Sequence, residues 1–355
     1  MSGRNSLKIV VCGGGTGGHY YPLIAVISAL KKKIELKVLY YTSKGRLDDR
    51  YAERDIENVK KMPLEVKGLK RPVYSPKNIM VIFDHLLTTD KVKRNMAEFS
   101  PNLVFSTGGY ISFPVVKAAS KIGLPVFLHE QNSIPGIANK RLARYAKKVF
   151  ISFEKSRDYF KNIENGKVIY TGNPVRKVMK TRKEIFDSLG IDQNRKLIII
   201  CGGSQGSDFL NRIMIEIYDG IKDDKYFFYH ITGNAEIKTK NYSFVRYRKF
   251  DPQLNEYIAV ADGVVARGGA TTIAELAHYG TPGVIIPWSE ATENHQYYNG
   301  LMLQEMGLGY VILENAVTSG GLLETINRIS TSRRHLLNIE KDPAETIAGH
   351  LLQEE

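Results

Sequence analysis

Cysteine, tryptophan and long apolar runs are scarce in this sequence of 355 residues. Its two cysteines, Cys12 and Cys201, each end an apolar stretch, and we interpret both as small buried residues of a reducing compartment rather than as a disulfide. No apolar run approaches the length of a membrane span, and the first one runs into glycines instead of a signal-peptide cleavage pattern. We therefore expect a cytosolic protein without a transmembrane segment.

Acidic residues are scarce in one half of the chain. Residues 1–176 contain 31 Lys+Arg and 14 Asp+Glu, whereas residues 177–355 contain 19 and 23. The length suffices for two domains, each with a core of its own. A strongly basic half joined to a weakly acidic half suggests that the first domain meets an anionic surface. Charge alone leaves nucleic acid and anionic lipid both open.

Two similar glycine-rich turns organise the chain. The first, GGGTGG at 13–18, follows an apolar run and precedes a helical pattern over 20–33; the second, GGSQG at 202–206, has the same surroundings. An apolar strand, a glycine turn and a helix N-terminus together present backbone N–H groups to an anion. Because strand and helix patterns alternate, we predict an α/β fold class with parallel sheets.

The composition also predicts domain boundaries. We assign a first domain to residues 1–176, a linker with a short helix to 177–195 and a second domain to 196–342. A final helix over 343–355 could pack back on the first domain.

The stretch 60–94 combines many cations with an apolar helical pattern. Its apolar residues Ile79, Ile82, Phe83 and Leu86 would share one face of a helix. This face is either part of the core beside a solvated basic face, or a membrane patch whose side chains enter a bilayer between lysines and arginines. The sequence leaves both interpretations open.

Two other binding classes are disfavoured. The spacing Gly13-x-Gly15-x-x-Gly18 fits a dinucleotide site, but the next strand runs into Thr42-Ser43-Lys44 without the acid that holds a ribose. An NADP-dependent oxidoreductase using Lys44 and Arg46 stays open as an alternative. His19 stands where a phosphate-binding P-loop requires lysine. No nucleic-acid recognition motif is present, so we expect no nucleic-acid partner.

Seven motifs, taken in order, make the pattern specific. They are GGGTGGHYYP, STGGYISFP, HEQN, TGNPVR, GGSQGSDFLN, ARGGATTIAE and PWSEATENHQ. From about residue 8 to about 310 this series resembles the MurG family of glycosyltransferases. The resemblance implies a GT-B fold, in which two Rossmann-like domains face each other across a cleft.

The resemblance also implies the reaction. N-acetylglucosamine would pass, with inversion, from UDP-N-acetylglucosamine to the C4 hydroxyl of the N-acetylmuramyl moiety of lipid I. The product would be lipid II for peptidoglycan synthesis, and hence for cell shape and division. The basic first domain would bind the cytoplasmic face of the inner membrane as a peripheral protein. Another UDP-sugar enzyme of this fold, with a different lipid acceptor or acting as a UDP-N-acetylglucosamine 2-epimerase, is the alternative.

An inverting transfer needs a base for the acceptor hydroxyl and positive potential at the departing UDP. By resemblance His19 is the base, and a helix N-terminus would keep it neutral. The acceptor's pyrophosphate would meet Gly14, Gly15, Gly108, Gly109 and Tyr110. The donor would meet Thr16, Gly17, Gly18, Asn132, Arg176, Ser204, Gln205, Asp251, Gly269, Ala270, Thr271, Glu275, His295 and Gln296. Among these, Glu275 would hold the ribose hydroxyls.

Two departures from the family pattern concern the donor site. Asp251-Pro252 stands where the family commonly has an apolar residue whose backbone reads the uracil, and Gly268 stands where relatives can have serine. No Asp-x-Asp motif and no cluster of Cys or His ligands is apparent. We therefore expect neither a metal nor another cofactor, and activity in the presence of a chelator.

Overall fold

A computed structural model describes residues 6–66, 68, 79–221, 225–234, 240–332, 334 and 341–353, with the backbone alone at 79–83 and 292. These residues form two compact units. The first unit comprises Met1–Val175 together with Lys341–Glu355, and the second comprises Arg176–Glu340.

The first unit is built on a seven-stranded parallel sheet with the order β3-β2-β1-β4-β5-β6-β7. Its strands are β1 (Ser6–Cys12), β2 (Glu35–Ser43), β3 (Val59–Leu64), β4 (Leu103–Ser106), β5 (Val126–Glu130), β6 (Lys148–Ile151) and β7 (Val168–Tyr170). Its helices are α1 (Gly17–Lys31), α2 (Leu47–Asp55), α3 (Ile79–Phe99), α4 (Ser112–Lys121), α5 (Ile137–Leu142) and, from the C-terminal segment, α12 (Pro343–Leu352). Short 3₁₀ helices follow at Ala143–Tyr145 and Glu154–Phe160.

The central strands of this sheet are buried on both faces. Most residues of β1, β4 and β5 are apolar, and their alternate apolar side chains enter two separate hydrophobic clusters, one on each face. This is the pattern expected of parallel strands that are covered by helices on both sides. The strand order reverses between β1 and β4, and their carboxyl ends therefore border the crevice in which open α/β sheets bind ligands.

The second unit repeats the design with six parallel strands in the order β10-β9-β8-β11-β12-β13. They are β8 (Lys196–Cys201), β9 (Tyr226–Ile231), β10 (Val245–Arg248), β11 (Gly263–Ala266), β12 (Gly283–Ile285) and β13 (Gly309–Val311). The helices are α6 (Arg182–Leu189), α7 (Asp208–Gly220), α8 (Leu254–Val260), α9 (Ala270–Tyr279), α10 (His295–Glu305) and α11 (Ser319–Thr331), with 3₁₀ turns at Thr292–Asn294 and Glu314–Ala316. Here the order reverses between β8 and β11.

The segment 177–195, predicted as a linker, is an integral part of the second unit. Ile185 and Phe186 of α6 are fully buried. Arg182 on the same helix forms an ion pair of 2.8 Å with Asp262. The helix begins with a capping box, in which the Thr181 hydroxyl accepts from the Glu184 amide while the Glu184 carboxylate accepts from the Thr181 amide. Packing and ion pairing therefore override the polar composition that suggested a linker.

The C-terminal helix α12 packs against α1 of the first unit. Ile347 and Leu351 are fully buried in the cluster that covers one face of the first sheet. The helix begins at Pro343 behind Asp342, whose carboxylate accepts from the Ala344 amide at 2.8 Å. The last residues of the chain thus complete the core of its first half.

Within the described parts of the chain, no helix has the length and apolarity that crossing a bilayer requires.

Replacing Ile347 by alanine should destabilise the first unit by about 2–5 kcal/mol, because a buried side chain is lost and a cavity remains. Urea titration followed by far-UV circular dichroism measures the change. Gln353→Ala, at an exposed position just beyond the same helix, is the matched control and should change stability little. Equal stabilities of the two variants would contradict the packing role of α12.

Candidate active site

The candidate site of the first unit lies at the carboxyl ends of β1, β4 and β5. Gly13 directly follows β1 and has a backbone φ of +135°, which favours glycine. A Cβ atom at this position would lie 1.9 Å from the Thr107 hydroxyl oxygen. Glycine is therefore required here, because it allows the loops after β1 and β4 to touch.

The glycine turn after β1 binds a carboxylate of the first unit itself, that of Asp48. The Gly15 amide donates to Asp48 Oδ1 at 2.8 Å, and the Ser43 amide donates to Asp48 Oδ2 at 2.6 Å. Asp48 is fully buried, and burial raises the pKa of its carboxyl group against the effect of these hydrogen bonds. The N–H of Gly15 is thus bound to a carboxylate in this structure, and the contact of Gly14 and Gly15 with the acceptor stays a prediction. Gly14 also packs directly on Asp48.

His19 lies in the first turn of α1, which begins at Gly17 behind Thr16, so Thr16, Gly17 and Gly18 form the helix start. The His19 Nδ1 atom is 2.8 Å from the Thr107 carbonyl oxygen and 2.9 Å from Gln131 Oε1. A carbonyl oxygen can only accept, so Nδ1 carries the proton and the lone pair is on Nε2. Among the described residues, Nε2 has no hydrogen-bond partner. Its position in the half-buried ring is that of a base open to a ligand.

Two further predicted residues lie beside this ring. Gly108 and Gly109 follow β4 with φ values of +98° and +85°. A Cβ atom at Gly109 would be 3.9 Å from His19 Nε2, so Gly109 borders the open edge of the imidazole. Tyr110 is exposed, at 64% of its surface. The structure thus brings His19, Gly108 and Gly109 together.

The acidic side chain in the HEQN motif is structural. Glu130 is buried, and its Oε1 accepts from the Asn132 amide and side chain at 2.9 and 3.1 Å. Its Oε2 accepts from the Gly136 amide and Asn139 Nδ2 at 3.0 and 2.8 Å. Glu130 therefore shapes the loop after β5 and orients Asn132, the predicted donor contact.

The predicted membrane patch is only partly within the described side chains. Those of Ile79, Ile82 and Phe83 lie outside them. Leu86 and the neighbouring Leu87 on α3 are 50% and 57% exposed. For Leu86 the interpretation as part of the core is therefore wrong.

In the second unit, the GGSQG turn follows β8. Its Gly206 amide donates to the Gly203 carbonyl at 3.1 Å, and Gly206 pairs with Gly233 in an isolated β-bridge. Ser204 is half-buried and Gln205 is exposed on this turn. Helix α7 starts directly behind it, so the predicted phosphate region has the geometry of a glycine loop at a helix N-terminus.

Glu275 on α9, the residue predicted to hold the ribose hydroxyls, is 5% exposed. Burial raises the pKa of its carboxyl group, and the nearby Arg176 guanidinium opposes that shift. Arg176 Nη2 lies 3.3 Å from Glu275 Oε1, and Nη1 donates to the Pro252 carbonyl at 2.6 Å. In this structure Arg176 thus holds Glu275 and the 251–253 turn, and it belongs to the second unit rather than to the first domain as predicted.

The carboxylate of Asp251 is engaged within the second unit. Oδ2 accepts from the Tyr229 hydroxyl at 2.5 Å and Oδ1 accepts from the Gln253 amide at 2.8 Å. Asp251 therefore stabilises the turn that precedes α8, and the helix itself begins at Leu254. The departure from the family pattern at this position has a structural role of its own.

The other predicted donor residues lie at two helix starts. Gly269 is the N-cap of α9, followed by Ala270 and Thr271, while His295 and Gln296 begin α10. A Cβ atom at Gly268 would lie 2.1 Å from the Gln296 carbonyl oxygen, so glycine lets the two starts meet. Gln296 Oε1 accepts from the Trp288 amide at 3.0 Å. Close packing of the two helix starts therefore explains glycine at position 268, where relatives can have serine.

Three residues that sequence reasoning missed connect these loops. Thr107 and Gln131 contact His19, as given above. Arg267 is buried and donates to the Ser207 hydroxyl, to the Ile286 carbonyl and to Glu314, joining three loops of the second unit. All three residues directly follow a strand, which is the signal that could have identified them.

No group of three or more His, Cys, Asp or Glu side chains in the described ranges is arranged to hold a metal ion. Metal-independent activity stays a prediction.

Comparison with known proteins gives matches in both units. The glycosyltransferase family 28 N-terminal domain matches residues 9–151, and the glycosyltransferase family 28 C-terminal domain matches residues 197–351. A relative from Thermotoga petrophila is 36% identical over 353 residues, which cover 98% of this chain and 99% of that protein. It is named UDP-N-acetylglucosamine–N-acetylmuramyl-(pentapeptide) pyrophosphoryl-undecaprenol N-acetylglucosamine transferase.

Solved structures share the fold. The crystal structure of Acinetobacter baumannii MurG is similar with a TM-score of 0.67 and 22% identity, covering 98% of each chain. A UDP-GlcNAc 2-epimerase from Neisseria meningitidis bound to UDP-GlcNAc has the same TM-score at 16% identity, covering 98% of this chain and all of its own. At these identities the structures show the fold alone, and the predicted α/β fold class of GT-B type is confirmed. Because both domain models and a full-length relative match, the chain belongs to glycosyltransferase family 28 and, within it, to the MurG family.

Proposed function

We propose that this chain transfers N-acetylglucosamine from UDP-N-acetylglucosamine to the C4 hydroxyl of the N-acetylmuramyl moiety of lipid I, forming lipid II. The observation that carries this proposal is the 36% identity to a transferase of that name over nearly the full length of both chains. The likeness to 2-epimerases rests on fold alone, so it does not favour that alternative.

The geometry around His19 supports its role as the base. As the acceptor hydroxyl oxygen bonds to the anomeric carbon, its proton passes to His19 Nε2. The bond from the anomeric carbon to the phosphate oxygen breaks, and UDP leaves with the electron pair. The proton on Nδ1 stays on that nitrogen and is donated to the Thr107 carbonyl oxygen, so the ring needs no rearrangement to accept the second proton on Nε2.

His19→Ala should lower kcat by about 10²–10⁴-fold, the usual contribution of a positioned base, with little change in KM for the donor. The assay is transfer of labelled N-acetylglucosamine to a short-chain lipid I analogue in excess EDTA. His278→Ala, outside the predicted site, is the control. Activity that EDTA abolishes and Mg²⁺ restores would contradict metal-independent transfer. Release of UDP with a rearranged sugar would favour the epimerase.

The buried carboxylate of Glu275 is suited to hold the ribose of the donor. A carboxylate can accept from both hydroxyls of a vicinal diol. Burial raises the pKa of Glu275, and the Arg176 guanidinium opposes that shift by favouring the charged form. The start of α9 beside it exposes the donor to backbone N–H groups and to the positive end of a helix dipole. We assign the predicted donor contacts of the second unit to the GGSQG turn and to the starts of α9 and α10. Thr16, Gly17, Gly18 and Asn132 stay predicted donor contacts of the first unit.

Glu275→Gln should weaken inhibition by UDP by roughly 10- to 100-fold, since hydrogen bonds to a charged group contribute about 1.5–3 kcal/mol. A ribose contact is isolated by comparing UDP with 2′-deoxy-UDP and 3′-deoxy-UDP as inhibitors. The ratio of inhibition constants should be large in the wild type and close to one in the variant. Glu256→Gln removes another buried carboxylate, which binds the Met179 and Lys180 amides, and should keep the wild-type ratio. Unchanged ratios in Glu275→Gln would contradict the assignment.

We also propose that the first unit binds an anionic membrane surface through one region. The exposed Leu86 and Leu87 lie on α3, which packs against α4. His85 on α3 contacts Phe113 on α4 edge to face, with ring centroids 6.3 Å apart. Phe113 lines a depression of about 510 Å³. Its other lining residues are Lys117, Lys140, Arg141, Arg144, Tyr145, Asn162 and Ile163.

Apolar side chains next to cations are the composition of a surface that lies on anionic lipid. The cluster of four cations also accounts for part of the positive charge of residues 1–176. Nucleic acid would be drawn by the same charge, but it offers no partner for Leu86 and Leu87. A peripheral position at the cytoplasmic membrane face is therefore part of the proposal.

The double variant Arg141→Glu, Arg144→Glu should bind vesicles that contain phosphatidylglycerol at least roughly 30-fold more weakly. Each cation near an anionic surface contributes about 1 kcal/mol of binding free energy, and the variant loses two of them. Co-sedimentation at low salt measures it. Lys32→Glu with Lys37→Glu makes the same charge change at exposed positions elsewhere in the first unit, and should have a much smaller effect. Equal losses in the two double variants would show that only net charge matters, and equally poor wild-type binding to neutral and anionic vesicles would refute the membrane role.

A further inference from the structure

A chain of buried hydrogen bonds leads from His19 into the first unit. Gln131 Oε1 lies 2.9 Å from His19 Nδ1, and Gln131 Nε2 lies 3.0 Å from His129 Nδ1. His129 Nε2 lies 3.1 Å from the Ser152 hydroxyl oxygen. Gln131 is 1% exposed and His129 is fully buried. Protein groups rather than solvent therefore determine which atoms donate and which accept in this series of hydrogen bonds.

Backbone carbonyls determine which atom of Gln131 faces His19. Gln131 Nε2 is 2.9 Å from the Thr107 carbonyl oxygen and 3.1 Å from that of His129. Both oxygens can only accept, so the NH₂ group must occupy this position. The reversed amide would place Oε1 against two carbonyl oxygens. The acceptor of Gln131 is thereby directed at His19 Nδ1.

The hydrogen bonds of Ser152 and His129 fix the same donor-to-acceptor direction from the other side of Gln131. The Ser152 hydroxyl donates to the Glu130 carbonyl at 2.8 Å, so its oxygen is left to accept from His129 Nε2. His129 then carries its proton on Nε2, and the lone pair on its Nδ1 faces the Gln131 NH₂ group, whose two hydrogens are shared among Nδ1 and the two carbonyl oxygens. Burial lowers the pKa of His129 to about 3, and the ring therefore stays neutral at working pH. A protonated His129 would be a donor at Nδ1 and would oppose the observed orientation of Gln131.

We propose that Gln131 is a positioning residue that holds the proton of His19 on Nδ1, so that Nε2 is the base, with its own orientation set by His129 and Ser152. This inference rests on the proposed role of His19. A histidine with one acceptor could rotate or exchange tautomers, whereas here Nδ1 lies between two acceptors, the Thr107 carbonyl and Gln131 Oε1. The amide does this without adding a charge next to the imidazole.

The first measurement is made on the wild-type full chain. Long-range ¹H–¹⁵N correlation spectra of ¹⁵N-histidine-labelled protein distinguish the protonated nitrogen from the bare one, and the signal of His19 is identified by its loss in His19→Ala. We expect a protonated Nδ1 and a bare Nε2 in neutral His19. A neutral ring with its proton mainly on Nε2 would overturn the proposal without any activity assay.

The second measurement uses Gln131→Met, which retains approximate shape but can neither accept nor donate in the same way. We expect kcat to fall by roughly 10- to 100-fold, KM for UDP-N-acetylglucosamine to stay unchanged, and the second His19 tautomer to appear in the spectrum. Tyr20→Phe is the matched control. It removes a buried hydrogen bond of 2.6 Å to Asp55 from the next residue of the same helix, and it should leave kcat and the tautomer as they are.

The pH profile separates positioning from loss of stability. Gln131→Met removes an acceptor that also favours the imidazolium, so the acid limb of the kcat/KM profile should move to lower pH. Gln131→Glu adds a negative charge beside the ring and should move the limb to higher pH. His129 on β5 and Asp48 on α2 also face this region, but they are the same in both variants. Shifts in the same direction for both variants would refute the proposal.

Failure of the proposal and failure of the proposed function give different results. If Gln131→Met keeps the wild-type kcat and tautomer, Gln131 does not position His19, whatever His19→Ala does. If His19→Ala keeps the wild-type kcat, the assignment of the base is wrong, while the tautomer measured by spectroscopy still decides whether Gln131 orients the ring.

Discussion

The contact between the loops after β1 and β4 is the constraint on which the first unit's site depends. Thr107 accepts from the His19 ring through its carbonyl oxygen and donates to the His19 carbonyl through its hydroxyl at 2.8 Å. Its amide donates to the Cys12 carbonyl, which continues the pairing of the two central strands. One residue thus joins the sheet, the helix start and the imidazole. Only glycine at position 13 leaves space for it.

The loops at the carboxyl ends of the strands are connected by different kinds of side chain in the two units. In the first unit, neutral groups connect the loops around His19, so no fixed charge lies in that chain of hydrogen bonds. In the second unit, buried arginines do so: Arg267 binds Glu314, and Arg176 binds Glu275. An ion pair of this kind depends on further hydrogen bonds to offset desolvation, and both arginines also donate to backbone carbonyls. The difference suits the roles proposed for the two units, a histidine base in the first and a site for an anionic nucleotide in the second.

Much of the fold could be predicted from the sequence, because the buried parallel strands are mainly apolar and glycine turns follow the carboxyl ends of β1, β4, β8 and β11. The boundary at 177–195 could not, since α6 is polar on its exposed face and its burial depends on partners far along the chain, such as Asp262. The burial of Glu275 could not be predicted from the sequence for the same reason. Its carboxylate is accommodated by Arg176, about a hundred residues away, and no local pattern shows that pairing.

The sequence by itself determined the order of strands and helices, the glycines that permit close approach, the concentration of positive charge in residues 1–176 and the family. These are properties of composition and spacing, which short-range sterics and hydrophobic burial translate directly into structure. The tertiary structure decided how the polar atoms pair. In the folded chain the Gly15 amide donates to Asp48 and the Tyr229 hydroxyl donates to Asp251. The side-chain oxygen of Gln131 faces Nδ1 of His19. Hydrogen-bond direction depends on which donors and acceptors the fold brings within about 3 Å of each other, and that is a property of the packed chain alone.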